Sequence, residues 1–150
     1  MIYTPLTRKA MRIAYAAHHG QTEWDGVPYI FHPLHLAEQM TDETSTTVAL
    51  LHDVVEDTPL TLEDLRREGF PERVLEAVAL LTHEQEAPYA QYVEKLSQNP
   101  VARAVKLADL RHNMDCTRLG KVDASNLKYI ERYRAALVYL QSRDSFEAQR

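Results

Sequence analysis

Four of the chain's seven prolines, Pro33, Pro71, Pro88 and Pro100, each stand at the head of a stretch whose apolar residues recur every three to four positions. Proline fixes φ near the helical value and lacks the amide hydrogen that a first helical turn leaves unbonded, so it favours a helix start. Pro71 opens a helix through Val74, Leu75, Val78, Leu81 and Thr82. Pro88 precedes one from Tyr89 to Ser97, with Tyr92, Val93 and Leu96 inward, and Pro100 opens another from Val101 to about Leu119, stopped by Gly120. No segment alternates with the period of a strand. With only 4 Gly and much Ala, Leu, Glu and Arg, the expected fold is an all-α bundle of some seven or eight helices, with residues 1–150 as one domain.

The remaining segments fit this reading. Thr7 reads as an N-cap for a helix from Arg8 to about His19, ended by Gly20, with Met11, Ala14, Tyr15 and His18 as its buried stripe. Gln21 to Ile30 is a loop turning at Asp25-Gly26, after which Tyr29, Ile30 and Phe31 pack inward. His32 sits at the N-terminus of a helix from Pro33 to about Met40. After a break at Asp42 to Ser45, Thr46 leads into a buried helix ending near Asp57. Thr61-Leu62-Glu63-Asp64 is a capping box for a short helix ending at Glu68 and Gly69. Ser125 caps a last helix from Asn126 to about Ser142, with Leu127, Ile130, Ala135, Leu137, Val138 and Leu140 facing in, and the polar tail 143–150 is expected to fray.

Composition narrows the function. A net charge of −5 argues against a broad surface for nucleic acid but leaves room for a small anionic ligand in a local pocket. The single Cys116 excludes an intramolecular disulfide and fits a reducing compartment. No run approaches the ~20 apolar residues of a membrane span and none looks like a signal sequence, so no membrane partner and a cytoplasmic location are expected. Oligomeric state leaves no sequence signature here.

The chemistry gathers at Leu50 to Thr58, which places His52, Asp53, Glu56 and Asp57 on one helical segment. At about 100° per residue the four side chains fall in a sector of about 140°. Two readings stand for this segment alone: a metal site, or a solvated acidic helix end closed by Pro59. Further along, Lys106, Asp109 and Asn113 share one helical stripe. His32, His52, Asp53 and Asp109 then form a candidate set of two imidazoles and two carboxylates, with His35 the weaker competitor for the place of His32. Such a set suits one divalent ion per chain, Mn²⁺ or Fe²⁺ better than Mg²⁺ or Zn²⁺. Glu56 and Asp57, a turn beyond, are placed to orient or deprotonate water, which points to hydrolysis of a phosphate ester or anhydride. Neither a GxxxxGK[ST] loop nor a GxGxxG turn is present.

In order along the chain, Gly20-Gln21, Pro28-Tyr29-Ile30, His32-Pro33, Leu51-His52-Asp53-Val54-Val55-Glu56-Asp57-Thr58, Lys106-Leu107-Ala108-Asp109 and His112-Asn113 resemble the hydrolase domain of RelA/SpoT-type alarmone enzymes, above all the small stand-alone alarmone hydrolases of the HD superfamily. The resemblance implies a manganese-dependent enzyme that removes the 3′-pyrophosphate of ppGpp or pppGpp. It implies His32, His52, Asp53 and Asp109 as metal ligands and Glu56 and Asp57 as the pair handling the attacking water. It implies Asn113 as a residue of the nucleotide pocket, and Lys106 as a support of Asp109 or a phosphate contact. The family usually places basic residues after Gly20-Gln21, where this chain has Thr22-Glu23-Trp24-Asp25. Trp24 offers a ring to stack on a base or to anchor the loop. Another nucleotide or NADPH is the alternative substrate. A module that senses a nucleotide without cleaving it is the alternative of another class, against which the intact Glu56-Asp57 pair speaks.

Overall fold

The computed structural model describes residues 1–120 and 123–149. Its secondary structure is helical, and the one β-type pairing among these residues is an isolated bridge between Thr22 and Pro28. The helices are α1 (Pro5–Ala17), α2 (Phe31–Glu38), α3 (Glu43–Leu51), α4 (Val54–Asp57), α5 (Leu62–Arg67), α6 (Glu72–Leu81), α7 (Tyr89–Ser97), α8 (Pro100–Asn113), α9 (Cys116–Leu119) and α10 (Ala124–Ala148). Two of them, α4 and α9, are single turns of four residues, so the all-α bundle expected from the sequence is the one found.

Helix α3 is the axis of the bundle. Every residue from Ser45 to Leu51 is buried, and α1, α2, α6 and α8 pack around it. A helix apolar on all sides is stable only inside a protein, where neighbours cover each face. Its start is fixed by Asp42, whose carboxylate accepts hydrogen bonds from the Ser45 amide at 2.8 Å and the Ser45 hydroxyl at 2.7 Å. The capping box at Thr61 and Asp64 and the proline starts of α6, α7 and α8 fall where the sequence places them.

Several boundaries differ, each for a local reason. The first helix is capped by Thr4, with Pro5 at its first position; Thr7 is the reciprocal partner, donating from its amide to Thr4 Oγ1 and accepting at its hydroxyl from the Thr4 amide. Tyr15 and Phe31, expected inward, are exposed, while Thr7 and Ala10 take the buried face of α1. The expected helix through Asp57 stops at Leu51 and restarts at Val54. The expected helix from Val101 to Leu119 breaks at Met114–Asp115, because Asp115 accepts from the Thr117 amide at 3.0 Å and caps a new turn. Asp123, not Ser125, caps α10. Leu127 and Val138 are exposed, since eleven residues place them together on a face away from the stripe of Ile130, Ala136 and Leu140.

Where polar composition suggests a frayed tail, α10 continues to Ala148, and only Arg150 of that tail lies outside the described residues. Its last turns are held by Arg103 of α8, which is 3% exposed. The Arg103 guanidinium donates to Asp144 at 2.5 Å, to the Ser97 carbonyl at 2.6 Å and to Glu147. No described helix is long and apolar enough to cross a membrane.

Two expectations follow. Arg103→Ala, which removes the buried donor and leaves its acceptors unmet, should cost about 2 kcal/mol in urea unfolding followed by circular dichroism. Full retention of stability would mean that α10 docks through its apolar stripe alone. For Asp42, the hydrogen bonds from Ser45 hold the carboxyl below its ordinary value despite partial burial. A depressed folded-state pKa gives stability that is present above the unfolded value and lost as pH falls through the folded one. Asp42→Ala should therefore cost about 1 kcal/mol at pH 7, and the gap to the parent should close below about pH 4. A pH-independent gap would exclude the charge as its origin.

Candidate metal centre

The break between α3 and α4 creates the centre. In an uninterrupted helix the carbonyl of Ala49 would accept from the Asp53 amide. Instead it accepts from Nδ1–H of His52 at 2.7 Å. Asp53 takes a non-helical conformation (φ −105°, ψ 0°), and α4 restarts with the Asp57 amide bonded to the Asp53 carbonyl. With Nδ1 donating to Ala49, Nε2 of His52 is the ring nitrogen left to face the carboxylates. It is buried, has no hydrogen-bond partner, and stands 3.0 Å from Asp53 Oδ2 and 3.8 Å from Asp109 Oδ1.

His32 approaches from the first turn of α2, 3% exposed, with Pro33 stiffening its backbone. Its Nε2 is 2.9 Å from Asp109 Oδ1, and its Nδ1 is 2.6 Å from Nδ1 of His112. His112 lies parallel to it at 4.9 Å and stacks in turn on His35 at 4.1 Å. Burial, with help from His32, Arg118 and His35, draws the pKa of His112 down to about 4, so it is neutral and shares a single proton with His32 across the two Nδ1 atoms. His35 is therefore an outer ring of the stack, not a member of the centre.

Asp109, 5% exposed on α8, also accepts from Lys106 Nζ at 2.8 Å and Asn113 Nδ2 at 3.0 Å. Burial alone would push its carboxyl up; the Lys106 ammonium, with His32 and His52, holds it well below the usual range. Asp53 accepts a hydrogen bond from the Tyr29 hydroxyl. Burial and the Asp53 charge push the Tyr29 phenol upward, keeping it a donor. At His52, burial favours the neutral ring, yet Asp53 and Asp109 outweigh it and draw the pKa up to about 9. The carboxylates thus favour positive charge at Nε2, whether a proton or a metal ion supplies it.

The donor set fits a divalent ion. Ligand atoms of His32, His52 and Asp109 lie within 4.8 Å of one another, and Asp53 Oδ2 borders them. An unpartnered buried imidazole nitrogen facing two carboxylates is costly unless a cation lies between them. Each ligand also has the outer support that metal sites require: Ala49 for His52, His112 for His32, Tyr29 for Asp53, and Lys106 with Asn113 for Asp109. Nitrogen and oxygen donors together suit a first-row ion of borderline character.

Asp53, Glu56 and Asp57 form a second carboxylate group within 4.8 Å, on the solvent side. Glu56 is aimed by the His83 amide, which donates to it at 2.6 Å. Desolvation, with the Asp53 charge, raises both Glu56 and Asp57 above their ordinary values. A cleft of about 120 Å³ opens over His52, Asp53, Glu56, Lys106, Asp109 and Asn113.

Trp24 is not part of that lining. Its indole N–H donates to the Arg118 carbonyl at 3.2 Å, and its ring covers Gly120, where a Cβ would come within 2.7 Å of it. Glu23 pairs with the Arg118 guanidinium at 2.7 Å, so its charge is neutralised on α9. Gln21 bridges His18 Nδ1 and the Asp57 carbonyl. Tyr29, His112 and His83 went unassigned in the sequence. Tyr29 and His112 stand within the ordered motifs, whereas the His83 contribution is a backbone amide and has no residue-type signal.

The fold and the centre together define a helical protein built to hold a cation beside a carboxylate pair. The chain belongs to the HD-domain family, whose model matches residues 29–114. It is 38% identical over 132 residues to a GTP pyrophosphokinase of Streptomyces coelicolor, covering 80% of this chain and 16% of that protein. It is 35% identical over 122 residues to the bifunctional (p)ppGpp synthase/hydrolase SpoT of Escherichia coli, covering 71% of this chain and 17% of that one. The chain thus spans about a sixth of the length of these relatives. Its fold matches the solved structure of a metazoan ortholog of SpoT that hydrolyzes ppGpp, with a TM-score of 0.76 at 22% identity over 93% of this chain and 87% of that one.

A metal-content measurement checks the ligand set. His52→Ala should leave well under one ion per chain after dialysis against Mn²⁺ and elemental analysis. Tyr29→Phe, which removes only the support of Asp53, should keep the ion with about 10-fold weaker affinity. Full metal content in His52→Ala, or parent-like affinity in Tyr29→Phe, would refute the corresponding assignment.

Proposed function

We propose that this chain is a metal-dependent phosphohydrolase that removes the 3′-pyrophosphate of ppGpp or pppGpp, releasing GDP or GTP and pyrophosphate, with residues 1–150 acting as one catalytic unit. The observation that carries the reading is the buried Nε2 of His52 beside Asp53 and Asp109, with Glu56 lining the same cleft and Asp57 grouped with Asp53 and Glu56 on its solvent side. The relative named as a (p)ppGpp synthase/hydrolase and the structural likeness to a ppGpp-hydrolyzing protein support the substrate.

In this reading His32, His52, Asp53 and Asp109 hold one Mn²⁺. When bound, such an ion supplies Lewis-acid polarisation of a phosphoryl oxygen and eases deprotonation of water. The chain's own groups do the rest. Glu56, fixed by the His83 amide, and Asp57 orient the attacking water and take its proton. Water adds to the phosphorus attached to ribose O3′, the bond from that phosphorus to O3′ breaks, and a proton goes to O3′. Lys106 and Asn113 keep Asp109 aligned from the side. A groove of about 390 Å³ between Asn113 and the first turns of α10 shares Asn113 and Tyr133 with the cleft and has room for a nucleoside. Pairing of Glu23 with Arg118 removes the charge that would oppose a highly anionic substrate at the loop.

With Mn²⁺, the purified protein should convert ppGpp to GDP and pyrophosphate. Glu56→Gln should retain the ion and lose on the order of 10²-fold in kcat. A panel with other nucleotides and NADPH fixes the substrate: turnover of one of these in place of ppGpp would move the assignment to it. A ligand that binds tightly and stays whole would replace hydrolysis by sensing.

A further inference from the structure

The cleft carries a second set of unmet groups, opposite in character to the first. Its floor gathers the buried His52 Nε2 with the carboxylates of Asp53 and Asp109. Its outer wall, made by α7 and α10, offers donors without acceptors. Arg132 lines the cleft from α10, with its guanidinium 4.0 Å above the ring of Tyr89. The Tyr89 hydroxyl, also in the lining, is buried and has no hydrogen-bond partner. Arg132 is exposed and, among the described residues, forms no ion pair with a carboxylate. Its helical neighbours one turn away are Lys128, Tyr129, Ala135 and Ala136, none of them acidic. Glu94 lines the adjoining groove but forms no ion pair with it. Lys106, the other cation of the lining, is already bound to Asp109 at 2.8 Å.

We propose that Arg132, seated on Tyr89 and joined by the Tyr89 hydroxyl, is a specificity residue of this cleft, binding the terminal phosphoryl group of the pyrophosphate whose other phosphoryl group lies at the metal centre. The physical basis is a division of charge. The acids Asp53, Glu56 and Asp109 repel an incoming polyphosphate, and a cation at the floor offsets them for one phosphoryl group only. A second phosphoryl group needs its own counter-charge, and arginine presents a planar fork that matches phosphate oxygens. Stacking on an aromatic face orients that fork without using its N–H donors. The arrangement selects a pyrophosphate over a monophosphate, because a monophosphate at the floor does not reach the wall. This rests on the phosphohydrolase reading given above.

The test separates the two. Binding of inorganic pyrophosphate to the whole protein is followed by calorimetry, with and without Mn²⁺. Arg132→Gln should weaken pyrophosphate binding about 10- to 100-fold, the worth of one or two charge-assisted hydrogen bonds. Arg132→Lys, which keeps the charge and loses the fork, should recover only part. Arg134→Gln, an exposed arginine on the same helix and outside the cleft, should bind as the parent does. Orthophosphate affinity should change less than threefold in all of them. In turnover, Arg132→Gln should raise KM with kcat within about threefold, since the bond broken lies away from Arg132. Unchanged pyrophosphate affinity in Arg132→Gln, or equal losses in Arg134→Gln, overturns the inference, and so does a parent protein that binds no pyrophosphate. Arg132-dependent pyrophosphate binding without turnover of ppGpp would keep this subsite and remove the proposed substrate.

Discussion

The hydrogen bond from His52 Nδ1–H to the carbonyl of Ala49 governs both the fold and the centre. By occupying an acceptor that a continuing helix would use, it ends α3 and sets the angle of α4. By engaging Nδ1, it leaves Nε2 as the ring nitrogen that faces Asp53 and Asp109. One bond thus does in backbone terms what a kink does, and in electronic terms what a metal ligand requires. Because Ala49 lies in a helix buried on every side, neither partner can move to solvent to escape the arrangement. The cost of a bare buried nitrogen is of the order of a lost hydrogen bond or more. A proton on Nε2 facing Asp53, or a cation in its place, offsets that cost.

The surrounding charges are consistent with this. Asp109 would be an expensive buried carboxylate on its own, and Lys106, Asn113 and His32 meet its oxygens without neutralising the gap that His52 faces. Tyr29 holds Asp53 through a hydroxyl kept protonated by burial and by the Asp53 charge. His112 stays neutral and hydrogen-bonds His32 through the two Nδ1 atoms. All four prospective ligands are thus oriented from behind, and their free atoms converge. A site with fixed ligands is suited to polarising a substrate, since little reorganisation accompanies the reaction.

How much of this was legible depends on whether the cause was local. The capping box at Thr61, the proline starts and the Lys106–Asp109–Asn113 stripe depend on residues within a turn of one another, and each reads directly from residue types. The all-α bundle follows from them. His32, His52, Asp53 and Asp109 could be grouped because their residue types are rare in buried stripes and recur in a known order. The break at His52 was not legible: nothing in Leu50 to Thr58 shows that an imidazole will outcompete an amide for the Ala49 carbonyl. The seven residues before Val54 look like one continuous helix until α3 is seen surrounded. Tyr29 and Arg132 escaped for another reason, since each acts across a gap between elements distant in sequence, where periodicity carries no information.

The loop after Gly20 shows why an isolated charge in a sequence misleads. Glu23 reads as a repulsive element when set beside an anionic substrate. In the folded chain its carboxylate meets Arg118, whose other guanidinium nitrogen donates to the His112 carbonyl at 2.6 Å, and Trp24 closes over Gly120 on the same turn. Glu23 therefore acts on the end of α8 and on His112, and through His112 on His32. The positive charge that a phosphorylated ligand needs comes from a different quarter, the α10 wall, where Arg132 is left without a carboxylate. A helix supplying that charge has a consequence a loop does not. Its position is set by the docking of α10 on α8, including the Arg103 bonds to Asp144 and Glu147 four turns away. If Arg132 has the proposed role, substrate selection is tied to the packing of the last helix and not to the conformation of the first loop.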